Sequence, residues 1–166
     1  MPTTFQYGID HLSYPTAMAI AKGTVNGIIS PSAAKKIIQS QELTEKLAEG
    51  ESAIYGVNTG FGPLCDTKIA PKDTAELQHN LLTSHSAGVG NPIPKTVSKL
   101  MLVTKLHALA QGFSGIRLTT LERIVYLLKN DITPVVPEKG SVGASGDLAP
   151  LAHLFLPLIG LGKVWQ

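Results

Sequence analysis

Residues 140–153 read Gly-Ser-Val-Gly-Ala-Ser-Gly-Asp-Leu-Ala-Pro-Leu-Ala-His and form the most informative segment of the sequence. Glycines and small residues fill nearly all of its first half, which predicts a loop. The apolar run that follows predicts a helix, and either Ser145 or Asp147 could cap its start. A phosphate-binding loop is a weaker interpretation, because the segment lacks the Gly-Lys-Ser or Gly-Lys-Thr ending of that motif.

The triad Ala144-Ser145-Gly146 also permits an unusual backbone reaction. An amide nitrogen that attacks the carbonyl carbon two residues upstream closes a small ring, which needs an unhindered nitrogen and a strained turn. Gly146 has no Cβ to block this approach, and Ala144 is the smallest chiral residue at the attacked carbonyl. Loss of water from Ser145 would then leave a methylene group conjugated to the ring. Such a group is a carbon electrophile that no standard side chain provides.

Helix start signals and the spacing of apolar residues predict a mainly helical chain with short strands and long glycine-rich loops. Ser30 followed by Pro31 is typical of a helix start, and Asp73 with Glu76 has capping-box spacing. Prolines push residues 132–137 into an extended conformation, and short extended runs are also predicted at 5–9 and 53–57. The helices are predicted from Ser13 or Thr16 to residue 21, over 31–49, from residue 74 to before Gly88, over 95–111 and 119–129, and through the apolar run 148–165.

The composition excludes several classes of protein. The 166 residues are 43% hydrophobic and 16% charged, with a formal net charge of +2, which is unlike a disordered chain and gives no basic patch for nucleic acid. The uncharged run 148–162 is too short to span a bilayer and contains prolines, and the N-terminus lacks a secretory signal pattern. Cys65 is the single cysteine, so no intrachain disulfide can form, which fits a cytoplasmic protein. We expect no nucleic-acid partner and no membrane partner.

The histidines and the cysteine show no pattern of a metal site. His11, His79, His107 and His153 lack the spacing with Asp, Glu or Cys that metal ligands show, so no metal is expected. His107 and His153 are predicted to be helix residues, and His11 and His79 to lie at the surface. Cys65 has no neighbouring pattern of a nucleophile, which favours a packing role in its loop.

Three segments, in the same order as in known proteins, resemble the aromatic amino acid ammonia-lyases. Residues 140–152 are similar to the signature of that family, residues 55–62 resemble its mobile tyrosine loop, and residues 112–117 resemble another of its characteristic segments. The resemblance extends from Tyr55 to His153. In this family the Ala-Ser-Gly triad of the signature becomes 4-methylidene-imidazole-5-one by autocatalytic cyclisation.

The resemblance implies a set of active-site residues. Ala144, Ser145 and Gly146 would form the prosthetic group, and Tyr55 would take the β-proton of the substrate. Asp147 would begin a helix whose N-terminal amides point back at the ring and stabilise its developing negative charge. A phenol is mostly protonated at neutral pH, so Tyr55 needs nearby positive charge or hydrogen bonds to act as a base. Judged without the family, Tyr55 is an aromatic residue packing at the end of a strand, and Asp147 is a plain helix cap.

Ser84 and His85 bear on the choice of substrate. In the family this pair lies beside the substrate side chain, and it resembles Ser-His in histidine lyases, His-Leu in tyrosine-preferring enzymes and Phe-Leu in phenylalanine-preferring ones. A neutral imidazole both donates and accepts a hydrogen bond, so His85 suits an imidazole substrate. Judged alone, His85 is a histidine at a helix C-terminus that interacts with the helix dipole.

The resemblance therefore implies an enzyme that eliminates ammonia from L-histidine to give trans-urocanate. Residues 1–166 would be the N-terminal active-site domain, and the central helical bundle, the C-terminal part and the remaining active-site groups would lie elsewhere in a homotetramer. We expect the fragment alone to be inactive, since strain at the triad must be imposed by surrounding structure. Two alternatives remain open: a tyrosine or phenylalanine ammonia-lyase or aminomutase, and a non-catalytic assembly domain whose Ser145 is an ordinary serine.

Overall fold

Packed helices joined by short strands and long loops make up the fold in the computed structural model, which describes residues 4–62, 65–143 and 146–166. The prediction of a mainly helical fold is thereby confirmed. In chain order the helices are α1 (Tyr14–Ala21), α2 (Pro31–Glu49), α3 (Thr74–His85), α4 (Lys95–Leu109), α5 (Leu118–Lys129) and α6 (Ala149–Phe155).

The strands are short and pair in twos. The parallel pair is β1 (Thr4–Gln6) with β2 (Asn26–Ile28), and the antiparallel pairs are β3 (Val89–Pro92) with β5 (Pro137–Lys139), β4 (Thr133–Pro134) with β8 (Val164–Trp165), and β6 (Val142–Gly143) with β7 (Gly146–Asp147). The extended conformation predicted for residues 132–137 is confirmed. The strand predicted at 5–9 is shorter, because the chain turns after Gln6 and the Asp10 carboxylate accepts a hydrogen bond from the Gln6 N–H (2.7 Å).

Serine caps open the first two helices as the sequence predicts. Ser13 Oγ accepts a hydrogen bond from the N–H of Thr16, and Ser30 Oγ accepts one from that of Ala33 (both 3.3 Å). The capping box predicted at Asp73 is wrong, although α3 begins at Thr74 as expected. Asp73 ends a 3₁₀ turn and has helical dihedrals (φ −96°, ψ −7°), whereas a capping side chain needs an extended backbone to reach the free amides.

The core lies where α1, α2, α4 and α5 meet. On α4 the spacing predicts Leu100, Val103, Leu106 and Ala110 as the inward face; Val103, Leu106 and Ala110 are fully buried, and Leu100 is partly buried against the core. On α5 the spacing predicts Leu121, Val125 and Leu128 as the inward face, and this is wrong in part. The buried residues are Leu121, Ile124 and Leu127, and α5 packs against α2 and β2 as well as against α4.

The apolar run after Asp147 does not form one continuous helix to residue 165. Helix α6 ends at Phe155, a 3₁₀ turn follows at Leu156–Ile159, and Val164–Trp165 forms the strand β8 against β4. Pro157 explains the change, because it has no N–H to continue the α-helical ladder. None of the described helices has the length and apolarity needed to cross a bilayer.

The two candidate caps can be compared directly by mutation. Ser30→Ala is expected to lower the free energy of unfolding by about 1 kcal/mol, because the Ala33 amide loses its acceptor. Asp73→Ala is the matched control, and we expect a loss below about 0.5 kcal/mol because this side chain makes no cap hydrogen bond. Urea denaturation followed by circular dichroism measures both values. Equal losses in the two variants would contradict the assignment of the caps.

Candidate active site

The hairpin β6–β7 holds the ends of the signature triad. Val142 pairs with Asp147, and Gly143 pairs with Gly146. Gly146 has a φ of +87°, and a Cβ built on it would meet no atom within 4 Å, so the described residues leave the position of a side chain at Gly146 open. Ala144 and Ser145 lie outside the described residues, and their roles stay predictions.

The Asp147 carboxylate joins the hairpin to α6. Its Oδ1 accepts hydrogen bonds from the N–H of Ser141 (2.9 Å) and from that of Ala149 (3.2 Å). Asp147 therefore binds the first amide of α6 from one residue before the N-cap, Leu148, instead of capping as the N-cap itself. The carboxylate sits so close to the Gly140 backbone that a Cβ at residue 140 would clash with it.

The N-terminal amides of α6 are only partly available to a ligand. Asp147 already occupies the N–H of Ala149, and Pro150 has no N–H to offer. The expectation that several amides of this helix point at the prosthetic group is therefore wrong for these two positions. Sequence reasoning placed Asp147 at the helix start but did not account for the amide that its own side chain takes.

Ser84 and His85 lie at the C-terminal end of α3. His85 Nδ1 is 2.8 Å from the carbonyl oxygen of Leu81, and Ser84 Oγ donates to the same oxygen (3.3 Å). A carbonyl oxygen can only accept, so Nδ1 of His85 carries a proton, and Nε2 of the neutral ring is the nitrogen left as an acceptor. The interaction with the helix terminus expected of a lone histidine is thus present, and it leaves Nε2 to other partners.

The end of α3 and the triad hairpin are brought together by packing. Helix α3 lies against α6, and the Gly88 N–H donates a hydrogen bond to His153 Nε2 on that helix (3.0 Å). Strand β3, which follows Gly88, pairs with β5, and β5 leads through Gly140 into the hairpin. Sequence reasoning placed His153 on a helix but missed this contact, because a hydrogen bond across 65 residues leaves no local pattern.

Tyr55 lies on a turn, so the extended run predicted at 53–57 is wrong. The buried Asn58 explains the turn: its Oδ1 accepts from the Ile54 N–H (2.7 Å), and its Nδ2 donates to the carbonyls of Ala48 and Ser52. Tyr55 itself is 64% exposed, and its ring meets the ring of Phe61 edge-on at 5.8 Å. Asn58 was missed as a structural residue, although an Asn that closes a local turn is a known pattern.

The tyrosine loop is held by α2. Lys68 Nζ donates to the Gly50 carbonyl at the end of α2 (2.7 Å). The segment 112–117 packs along the same helix, where the Gly115 N–H donates to Ser40 Oγ (3.0 Å). Within the described residues, no hydrogen bond joins the loop 51–70 to residues 84–88 or 140–149. The structure thus brings two of the predicted site segments together and attaches the third to α2.

The remaining histidines and Cys65 lie mostly as the sequence predicts. His107 and His153 are on α4 and α6, and His11 and His79 are exposed. Cys65 is partly buried in its loop. Over residues 4–62, 65–143 and 146–166, no group of three or more His, Cys, Asp and Glu side chains is arranged to hold a metal ion.

The comparison with known families agrees with this arrangement. Residues 12–166 match the family described as aromatic amino acid lyase. The chain belongs to this family. The aromatic amino acid lyase presented here is 46% identical over 94% of its length to the histidine ammonia-lyase of Stigmatella aurantiaca. It spans about 30% of the length of the curated relatives that it matches.

Solved structures of the family share its fold. The tyrosine aminomutase from Streptomyces globisporus superimposes with a TM-score of 0.89 at 35% identity, over 100% of this chain and 31% of that protein. The histidine ammonia-lyase from Trypanosoma cruzi gives a TM-score of 0.84 at 33% identity, over 98% of this chain and 30% of that protein. Family members with this fold are therefore named for different substrates and reactions.

Two histidines of this aromatic amino acid lyase make its stability depend on pH. Burial lowers the pKa of His107, against a smaller opposing effect of Asp10, and burial also lowers the pKa of His153. Both rings accept a backbone hydrogen bond, from Gly8 to His107 Nδ1 (3.2 Å) and from Gly88 to His153 Nε2 (3.0 Å). Below about pH 6.5 the unfolded chain therefore binds more protons than the folded one, so stability falls as the pH falls.

We expect the free energy of unfolding to drop between about pH 7 and pH 5. The double variant His107→Asn/His153→Gln keeps the two acceptors without a titrating group and should lose part of this pH dependence. Asp131 does not interfere, because hydrogen bonds from Lys99 and Lys95 lower the pKa of its carboxyl further below this range. Urea denaturation at a series of pH values measures the effect, and an identical slope in parent and double variant would refute it.

Proposed function

We propose that the whole protein eliminates ammonia from L-histidine and releases trans-urocanate. The observation that carries this proposal is the state of His85: its Nδ1–H is donated to Leu81, so Nε2 is an acceptor that can receive the N–H of a substrate imidazole. The relatives named histidine ammonia-lyase, at 41% to 46% identity, support the same substrate. A phenyl ring offers no N–H, so it would leave Nε2 without its partner.

The prosthetic group proposed for this reaction is 4-methylidene-imidazole-5-one, formed from Ala144, Ser145 and Gly146. The described part of the hairpin fits it, because Gly146 combines a positive φ with open space around its Cα. When formed, the group supplies an electrophilic carbon that helps ammonia to leave. Asp147 holds the hairpin by its two backbone hydrogen bonds and thereby fixes the position of the triad relative to α6.

Tyr55 is the base that we propose for the β-proton of the substrate. The reaction breaks the Cβ–H and Cα–N bonds of histidine and forms a Cα=Cβ double bond. The proton passes to the Tyr55 oxygen in its phenolate form, and the protonated amino group leaves as neutral ammonia with the electron pair of the Cα–N bond. The ring of Tyr55 is well exposed on its turn, so its oxygen can be approached by a substrate.

The site is proposed to be completed by parts of the protein outside this chain. Residues 1–166 would be the N-terminal active-site domain of a cytoplasmic homotetramer, whose central helical bundle and C-terminal part supply the carboxylate-binding groups. The exposed apolar side chains beside the candidate site support this proposal: Val142 is 82% exposed and Val89 63% exposed. We therefore expect residues 1–166 alone to produce no urocanate.

His85 is the residue to mutate in the full-length protein. His85→Leu is expected to lower kcat/KM for L-histidine by about 10–100-fold, because a buried imidazole N–H of the substrate would lose its acceptor. Ser84→Ala is the matched control on the same turn, with an expected change below about threefold, since its hydroxyl bonds to the helix carbonyl. Urocanate absorbance measures both. If the parent forms coumarate or cinnamate but no urocanate, the proposed substrate is wrong.

Intact mass of the full-length protein tests the prosthetic group. Cyclisation and dehydration should leave the peptide that contains the triad lighter by two water molecules. Ser145→Ala removes the hydroxyl that is lost in the dehydration step, so its triad peptide should lack at least that one of the two water losses. An unmodified mass in the full-length parent would favour the non-catalytic assembly domain, in which Ser145 is an ordinary serine.

Tyrosine is the second substrate that a specific observation favours. The tyrosine aminomutase from Streptomyces globisporus has the same fold at 35% identity, and the hydroxyl of tyrosine could also donate to His85 Nε2. Parallel assays with both amino acids separate the two substrates. Coumarate or β-tyrosine as the main product would replace the histidine proposal.

A further inference from the structure

One hydrogen bond joins the segment that follows His85 to the helix that follows the triad. The Gly88 N–H donates to His153 Nε2 at 3.0 Å. Gly88 stands three residues after His85, and His153 stands six residues after Asp147 on α6. No other described side-chain hydrogen bond connects residues 84–88 with α6.

Gly88 is shaped for this contact. A Cβ at residue 88 would lie 3.0 Å from His153 Nε2, 3.1 Å from its Cδ2 and 3.3 Å from the Lys139 carbonyl oxygen. Gly88 has no left-handed backbone that would itself call for glycine. The glycine is therefore needed because the imidazole approaches the backbone closely. His153 Nε2 accepts, so the proton of the neutral ring is on Nδ1.

Helix α6 then acts as a spacer with a contact at each end. At its start the Ala149 N–H donates to Asp147 Oδ1, which also accepts from the Ser141 N–H before the hairpin. Four residues further on, about 6 Å along the helix axis, His153 Nε2 accepts from the Gly88 N–H. The two contacts together set the distance between the triad hairpin and the end of α3 that carries Ser84 and His85.

We propose that His153 is a positioning residue that holds the Ser84–His85 segment at a fixed distance from the triad. This inference rests on the proposed function, in which His85 Nε2 receives the N–H of the substrate imidazole. His153 itself touches neither the substrate nor the reacting atoms. Its loss loosens the side-chain pocket and leaves the chemistry at the triad in place.

The expected kinetic consequence is a higher KM with a nearly unchanged kcat. A pocket that binds the imidazole less well weakens substrate and transition state alike, which raises KM and leaves kcat nearly unchanged. Removing the acceptor is expected to raise KM for L-histidine about tenfold, in line with the loss of one hydrogen bond. We expect kcat to change by less than about threefold and the mass of the triad peptide to stay that of the cyclised form.

The test uses the full-length protein with three variants. His153→Leu removes the acceptor, and His153→Gln offers Oε1 near the position of Nε2. His107→Leu is the matched control, because His107 also accepts a backbone hydrogen bond, from Gly8 (3.2 Å), in a part of the chain away from the triad. Hydrogen–deuterium exchange of the peptide that contains Gly88, read by mass spectrometry, is measured beside the kinetics.

In His153→Leu the Gly88 amide should exchange about tenfold faster and KM should rise, while His153→Gln should restore both. His107→Leu should leave both at the parent level. Unchanged exchange at Gly88 in His153→Leu, or equal KM values in His153→Leu and His107→Leu, would overturn the proposal. If His153→Leu does not fold, Gly88→Ala displaces the ring from the other side and should give the same faster exchange.

Failure of the proposed function has a different signature. A parent protein that makes no urocanate refutes the histidine proposal, whereas the exchange rate of the Gly88 amide still reports on the His153 contact. In that case KM is measured with the amino acid that the parent does convert. No rise in that KM in His153→Leu would reject the positioning role for the enzyme.

Discussion

The carboxylate of Asp147 is the contact on which the arrangement of the candidate site depends. It accepts from a backbone amide on each side, Ser141 before the triad and Ala149 after it. Hydrogen bonds to a carboxylate are stronger than those between neutral groups, so this side chain ties the hairpin to the first turn of α6. The approach is possible only because Gly140 has no side chain in the way. A hairpin of so few paired residues would be marginal without this tie.

The hairpin is connected to the end of α3 by the pairing of β5 with β3 and by the imidazole of His153. Strand β5 runs into the hairpin and pairs with β3, and His153 binds Gly88 just before β3 begins. The Tyr55 loop is attached in another way, by the buried Asn58 and by Lys68, both of which bind the end of α2. Tyr55, the proposed base, and the triad, the proposed electrophile, are therefore held by different parts of the fold. Their relative position depends on the packing of α2 against the rest of the core.

Sequence reasoning was more successful for contacts between residues that are near each other in the sequence than for contacts between distant residues. Ser30 caps α2 as expected because a cap depends on residues two or three positions away. The prediction of a cap at Asp73 was wrong because the 3₁₀ turn that ends at this residue sets its dihedral angles. The buried face of α5 differs from the predicted one because α2 and β2, as well as α4, pack against this helix. The contact between Gly88 and His153 could not be predicted at all, since both residues look ordinary until the fold brings them together.

Contacts between residues that are distant in the sequence also explain why the glycine-rich composition of the site does not predict the role of each glycine. Composition predicts a loop at residues 140–146, where the described residues form the short hairpin β6–β7, but three glycines of the site have three different causes. Gly140 makes room for a carboxylate, Gly88 makes room for an imidazole, and Gly146 adopts a positive φ in open space. The first two are tight, close-packed contacts, and only the third combines freedom of the backbone with access to solvent. Of the triad that the proposed cyclisation must reshape, Gly146 is the described residue, and it is uncrowded beside Asp147, whose carboxylate holds the amides of Ser141 and Ala149.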